Sequence, residues 1–161
     1  MSRFDNEIRI TPSVLDRLID ERPDETREAP ANRQTSLRLL KLAVKRDLEW
    51  LLNTRMTPEP PPAGLVEVNR SLATFGLPDF TSSTIKGPDD HDRLRHAVEE
   101  AVRIFEPRLQ DVEVSLEGTA EMERSVRFRI EARLRVDPSP EPVTFDTMLQ
   151  LQSGEFRVKG E

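Results

Sequence analysis

At 161 residues the chain is long enough for one domain with a real apolar core and short arms appended to it. Charged residues make up 34% and the net charge is −6, which argues against a nucleic acid or an acidic membrane surface as the main partner. There is no cysteine, so disulfide frameworks and thiolate metal sites are excluded; no apolar run approaches the ~20 residues a bilayer span needs. Met1-Ser2-Arg3-Phe4-Asp5-Asn6 lacks the basic-then-apolar plan of a secretory signal, and a cytoplasmic protein without membrane insertion is expected.

The first predicted element is a short helix over 11–20, with Thr11 able to cap it and Pro12 suited to its first position. Val14, Leu15, Leu18 and Ile19 form an apolar stripe opposed by Asp16, Arg17 and Asp20. A helix of about ten residues is not stable alone in water, so this one docks, either on its own domain or on a partner. Both choices stay open, because residues 21–34 are nearly devoid of apolar side chains and include Pro23 and Pro30, the composition of a flexible tether. The chain therefore divides into an arm, 1–34, and a body, 35–161.

In the body, Thr35 or Ser36 caps the longest helix, which ends near Asn53. Leu37, Leu40, Val44, Leu48, Leu51 and Leu52 follow helical spacing, and Leu39, Ala43 and Trp50 widen the stripe enough to predict burial on more than one side. Thr57-Pro-Glu-Pro-Pro-Pro-Ala-Gly64 is a stiff extended connector. A short helix is expected over 65–75, stopped by Gly76, and then a turn that buries Leu77 and Phe80. Pro88 and three acids, Asp89, Asp90 and Asp92, start the last helix, whose inner stripe is Leu94, Ala97, Val98, Ala101, Val102 and Phe105.

At Ile104-Phe-Glu-Pro-Arg-Leu109 the pattern changes. Pro107 has no backbone donor and a fixed φ, so the helix ends and the chain leaves in extended form. Glu106 and Arg108 flank this rigid corner, either as two solvated charges beside a helix-ending proline or as side chains that reach opposite ways and tie other elements to it. Beyond it the apolar residues alternate: Val112, Val114 and Leu116; then Val126, Phe128, Ile130, Ala132, Leu134 and Val136; then Val143, Phe145, Leu149 and Leu151; and last Phe156 and Val158. Helices followed by strands predict an α+β fold, with three to four helices on one face of an antiparallel meander sheet of about four strands.

Chemistry-bearing patterns are few. His91 and His96 lie on different faces of one helix, which does not make a metal site. No phosphate-cradling glycine loop or nucleophile elbow is present. Thirty acidic residues offer many carboxylate pairs, so glycoside cleavage is the enzymatic alternative; the lone Trp50, on the buried helix, and the absence of tyrosine count against a sugar cleft. Arg127, Arg129, Arg133 and Arg135 line the polar side of the longest strand, either as an anionic docking stripe or as a solvated face balanced by Glu113, Glu117 and Glu131.

Four stretches in order resemble one family: Ser13-Val-Leu-Asp-Arg-Leu18, Arg46-Asp-Leu-Glu-Trp-Leu-Leu-Asn-Thr-Arg55, Gly76-Leu-Pro-Asp-Phe80 and Ile104-Phe-Glu-Pro-Arg-Leu109. They are similar to the TssE subunit of the type VI secretion baseplate, a relative of the wedge protein of contractile phage tails. The resemblance implies a non-enzymatic structural subunit that sits with TssF and TssG near the start of the TssB–TssC sheath, with TssK a further candidate neighbour, in a baseplate docked at the inner membrane. It implies partner contacts at Glu106, Pro107 and Arg108; the amphipathic N-terminal helix, where it docks on a partner, adds Leu15, Arg17 and Leu18. It implies no cofactor, no metal and no catalytic residue, although phage members of the family carry a lysozyme label, which makes peptidoglycan hydrolase the alternative function.

Overall fold

The alternating stretches pair as a single meander. In the computed structural model, which describes residues 10–19, 32–59, 61–80, 88–120 and 125–160, strands β1 (Leu109–Ala120), β2 (Ser125–Leu134), β3 (Glu141–Gln150) and β4 (Glu155–Gly160) form one antiparallel sheet in the order β1-β2-β3-β4. β2 and β3 run in unbroken register from Ser125 opposite Gln150 to Leu134 opposite Glu141. Because side chains alternate along a strand, Val126, Phe128, Ile130 and Leu134 share a buried face with Val143, Phe145 and Leu149. The outward face carries the arginine stripe, in which Arg129 pairs with Glu117 at 2.7 Å and Asp146 at 3.1 Å.

β1 keeps its apolar residues inside by means of a bulge. Leu109 and Val112 are both buried although they lie three positions apart, which a regular strand cannot achieve. The register shifts between Gln110 and Glu113, and Asp111 takes up the extra residue at φ 53°. A second shift follows between Leu116 and Gly118, and Leu116 lies partly exposed.

Three helices complete the described elements: α1 (Val14–Leu18), α2 (Arg33–Asn53) and α3 (Pro88–Phe105). α3 packs against β1, and α2 packs against β4. Leu94, Val98, Ala101 and Val102 of α3 and Leu40, Val44, Leu48, Leu51 and Leu52 of α2 join the buried residues of the sheet in one core. α2 starts earlier than its hydroxyl residues suggest, since the Asn32 side chain accepts from Thr35 N. Its C-terminal end is pinned to the sheet edge: Asn53 Nδ2 donates to Phe156 O and Phe156 N donates to Asn53 Oδ1, both at 2.9 Å.

Three expectations are corrected. Leu39 and Trp50 do not widen the buried stripe of α2; Trp50 is 52% exposed, and the Arg46 guanidinium lies 5.1 Å from its ring centroid. One sheet covers α2 on one side, so the remaining apolar positions face outward. The stretch 65–75 is not an α-helix but two 3-10 turns, Val68–Arg70 and Leu72–Thr74. Ser71 interrupts it at φ −100°, ψ 176°, where its hydroxyl accepts from Ala73 N, and Leu65, Val66, Val68 and Leu72 are left exposed. Finally, α1 begins after Ser13 rather than Thr11, with a reciprocal capping box between Ser13 and Asp16.

The turn after these loops behaves as expected. Leu77 is buried, Phe80 packs against the core, and Leu77 N donates to Thr54 O at 2.8 Å. Gly76 makes this possible: it has φ +113°, and a Cβ there would stand 2.4 Å from Thr54 O. The tether expected over 21–34 lies, up to residue 31, outside the described residues.

Candidate functional site

Where α3 gives way to β1, Glu106 N still donates to Val102 O, and Leu109 N donates back to Glu106 O at 3.0 Å. This closes a four-residue turn with Pro107 at its second position, where the fixed φ of proline is suited. The residue after β2 fastens to the same turn: Arg135 N donates to Arg108 O at 2.8 Å, and Arg135 Nη1 reaches Pro107 O. The joint is therefore fastened by backbone before any side chain is considered.

Glu106 and Arg108 do not reach opposite ways. The turn brings their side chains together, and Glu106, 3% exposed, is clamped by its neighbour. Arg108 Nε donates to Oε1 at 2.7 Å, Nη2 donates to Oε2, and the Arg108 backbone N–H also reaches Oε1. This is the bidentate fork that guanidinium and carboxylate planes allow. The Arg108 Nη2 group is shared with Asp47 Oδ2 of α2.

Asp47 spans two arginines. While Oδ2 takes Arg108, Oδ1 accepts from Arg46 Nε at 2.9 Å and Nη2 at 2.7 Å. Arg46 Nη2 then donates to Asp16 Oδ1 at 2.8 Å, and Arg108 Nη1 lies 3.9 Å from Asp16 Oδ2. Three carboxylates and two guanidinium groups thus join α1, α2 and the α3–β1 turn. Burial opposes the charge on Arg108, but hydrogen bonding and attraction from Glu106, then from Asp47, hold its pKa above the ordinary arginine value. Arg46 is raised in the same way, with Asp47 and then Asp16 outweighing burial. For Asp16, burial also opposes charge, yet bonds from Ser13 and Arg46 set its carboxyl below its usual value.

α1 meets the body by its polar side. The Asp16 side chain is 12% exposed. By contrast Val14, Leu15, Leu18 and Ile19 are exposed, Leu18 to 76%, and no residue of the helix is buried. Arg17 also faces solvent. Upstream, Ile10 packs against the core. Of the residues singled out in the sequence, Glu106, Pro107 and Arg108 lie in the joint, and Leu15, Arg17 and Leu18 lie on the helix moored beside it. Asp16, Arg46 and Asp47 were not singled out, although all three fall inside motifs that carry the family resemblance. Their charges were legible but their pairings were not.

Other candidate chemistry stays dispersed. Among the described residues no group of His, Cys, Asp and Glu is arranged to hold a metal ion. His96 Nε2 instead lies 2.8 Å from Arg95 Nη2. No described helix is long and apolar enough to cross a membrane.

Fold and cluster together define a small α+β module in which an ion network ties α1 and α2 to the α3–β1 turn. Residues 38–139, well over half of the chain, match the family described as baseplate wedge protein gp25, and the chain belongs to that family. This family is structural, and membership implies association with other baseplate proteins. The match covers Arg46, Asp47, Glu106 and Arg108 and leaves out Asp16 and all of α1. No curated protein matches the chain.

Proposed function

We propose that the chain is a non-enzymatic subunit of the type VI secretion baseplate wedge, in which it links a TssF–TssG core to the start of the TssB–TssC sheath. The observation that carries this reading is the Glu106-Pro107-Arg108 turn, an ion-clamped corner within the part of the chain that matches the baseplate wedge family. In this reading the body, 35–161, is the wedge domain and 1–34 is a docking arm. The compartment is the cytoplasm, with the baseplate, including TssK, held at the inner membrane.

Partner contact would centre on Pro107 and the partly exposed rim of Arg108, with Glu106 holding that arginine from beneath. Leu15, Arg17 and Leu18 add an exposed apolar and basic surface. The sheath would join by strand addition at an edge of the sheet, β1 or β4. On β4 the Asn53 side chain already occupies the N–H and C=O of Phe156, so an added strand would pair from Val158 onward.

Co-purification with TssF and TssG tests the reading, beside a turnover assay on purified peptidoglycan. Retention of both partners with no release of muropeptides is the expected result. Turnover that survives extensive purification, without partner retention, would replace it with the hydrolase alternative.

A further inference from the structure

The two arginines of the joint are held from behind by carboxylates of the body. Asp47 gives one oxygen to each, and Glu106 also takes Arg108, through Nε and the Nη2 it shares with Asp47. Without α1 the cluster would contain Arg46, Arg108, Asp47 and Glu106, two charges of each sign, and every one of those contacts would remain. What α1 adds is a third carboxylate, set against Arg46 Nη2 at 2.8 Å and Arg108 Nη1 at 3.9 Å. The two guanidinium groups are therefore positioned independently of the carboxylate that faces them, as in a preorganised anion-binding fork.

Asp16 comes from a segment with little else to hold it. α1 has five residues, none buried, and its apolar stripe is turned away from the body. Among the described residues its fixed points are the Asp16 contacts and the packing of Ile10 upstream. A helix that docks through its acid and leaves its leucines in solvent is placed for exchange.

We infer that Arg46 and Arg108 form a binding site for an acidic side chain on a peptide segment, which Asp16 fills from within the same chain until a partner's carboxylate takes its place. Release of α1 in that exchange unmoors the segment that carries the already exposed Val14, Leu15 and Leu18. The site is a property of the isolated chain and does not depend on which baseplate protein supplies the acid.

The test uses the full chain and a synthetic peptide copying residues 10–19, titrated while the Arg46 and Arg108 side-chain N–H resonances are followed by NMR. Within one molecule Asp16 acts at an effective concentration on the order of millimolar, so wild-type protein resists the peptide. Asp16→Asn protein is expected to bind it at least about tenfold more tightly, since its internal competitor has lost the charge. An otherwise identical peptide with asparagine in place of the aspartate should not bind. Arg46→Ala, introduced into the Asp16→Asn protein, should abolish binding of the acidic peptide. Unchanged amide exchange across Pro88–Phe105 verifies that each variant is folded. Equal affinity of wild type and Asp16→Asn, equal binding of the two peptides, or no binding to Asp16→Asn at all overturns the inference.

Discussion

Arg108 closes on Glu106, two residues before it, through Nε and Nη2, with Pro107 between them in the chain. An acid and a base that the sequence sets on either side of a corner are thus bound to each other, and the corner is locked by its own flanks. The partner contact proposed for this corner would therefore be built on a pair that first holds the fold together.

Removal of Arg108 leaves Glu106 buried without its fork. Arg108→Ala is expected to cost about 3–5 kcal/mol, the range for breaking one side of a buried ion pair. Arg108→Lys restores charge but not the two parallel donors, and should recover less than half of the loss. Urea unfolding followed by circular dichroism measures both. An Arg108→Ala protein as stable as wild type would show that the fork to Glu106 does not stabilise the fold. Any partner-binding assay on these variants needs that control.

Asn53 should act as an edge guard. Its side-chain amide mimics a neighbouring peptide unit against Phe156, and Asn53→Ala removes these two hydrogen bonds, worth together about 1–2 kcal/mol, along with the bond from Nδ2 to Glu49 O. It also opens that part of the β4 edge, so light scattering should detect concentration-dependent self-association that wild type does not show. A monomeric, equally stable variant would discount the role.

Gly76→Ala meets both a strained backbone and a carbonyl. At φ +113°, with the new Cβ 2.4 Å from Thr54 O, the connection from α2 to Leu77 must shift. A loss of about 2–3 kcal/mol is expected, larger than an ordinary Gly→Ala change in a turn. A melting temperature within a degree of wild type would contradict this.

Acid should undock α1 before it unfolds the body. The Asp16 carboxyl lies below its ordinary value when docked, so its contribution is fully present above the free value of about 3.9 and is lost as pH falls through the docked value. Arg46 and Arg108 stay charged throughout, and Asp47 and Glu106 are the other carboxylates on the same network. Amide exchange at residues 14–19 should therefore accelerate below about pH 4 in wild type, and should be fast and less dependent on this titration in Asp16→Asn. Protection of α1 that persists unchanged down to pH 2 would refute the ionic mooring.

The strands, the last helix and the proline corner could be read directly from the chain because each is a local pattern. Phe128, Ile130 and Leu134 alternate with charges, Leu94, Val98 and Val102 recur at helical spacing, and Pro107 forbids continuation. Other patterns misled, since apolar periodicity says which residues share a face but not whether anything covers that face. Trp50 and Leu39 share α2 with a buried stripe yet look outward, and the apolar side of α1 does the same. The arrangement of charges lay beyond sequence reading altogether. Thirty acidic side chains surround any arginine with possible partners, and only the folded chain selects Asp47, 61 positions from Arg108, and Asp16, 30 positions from Arg46. Local rules act over a few residues, whereas an ion pair forms wherever packing of the core happens to carry its two ends.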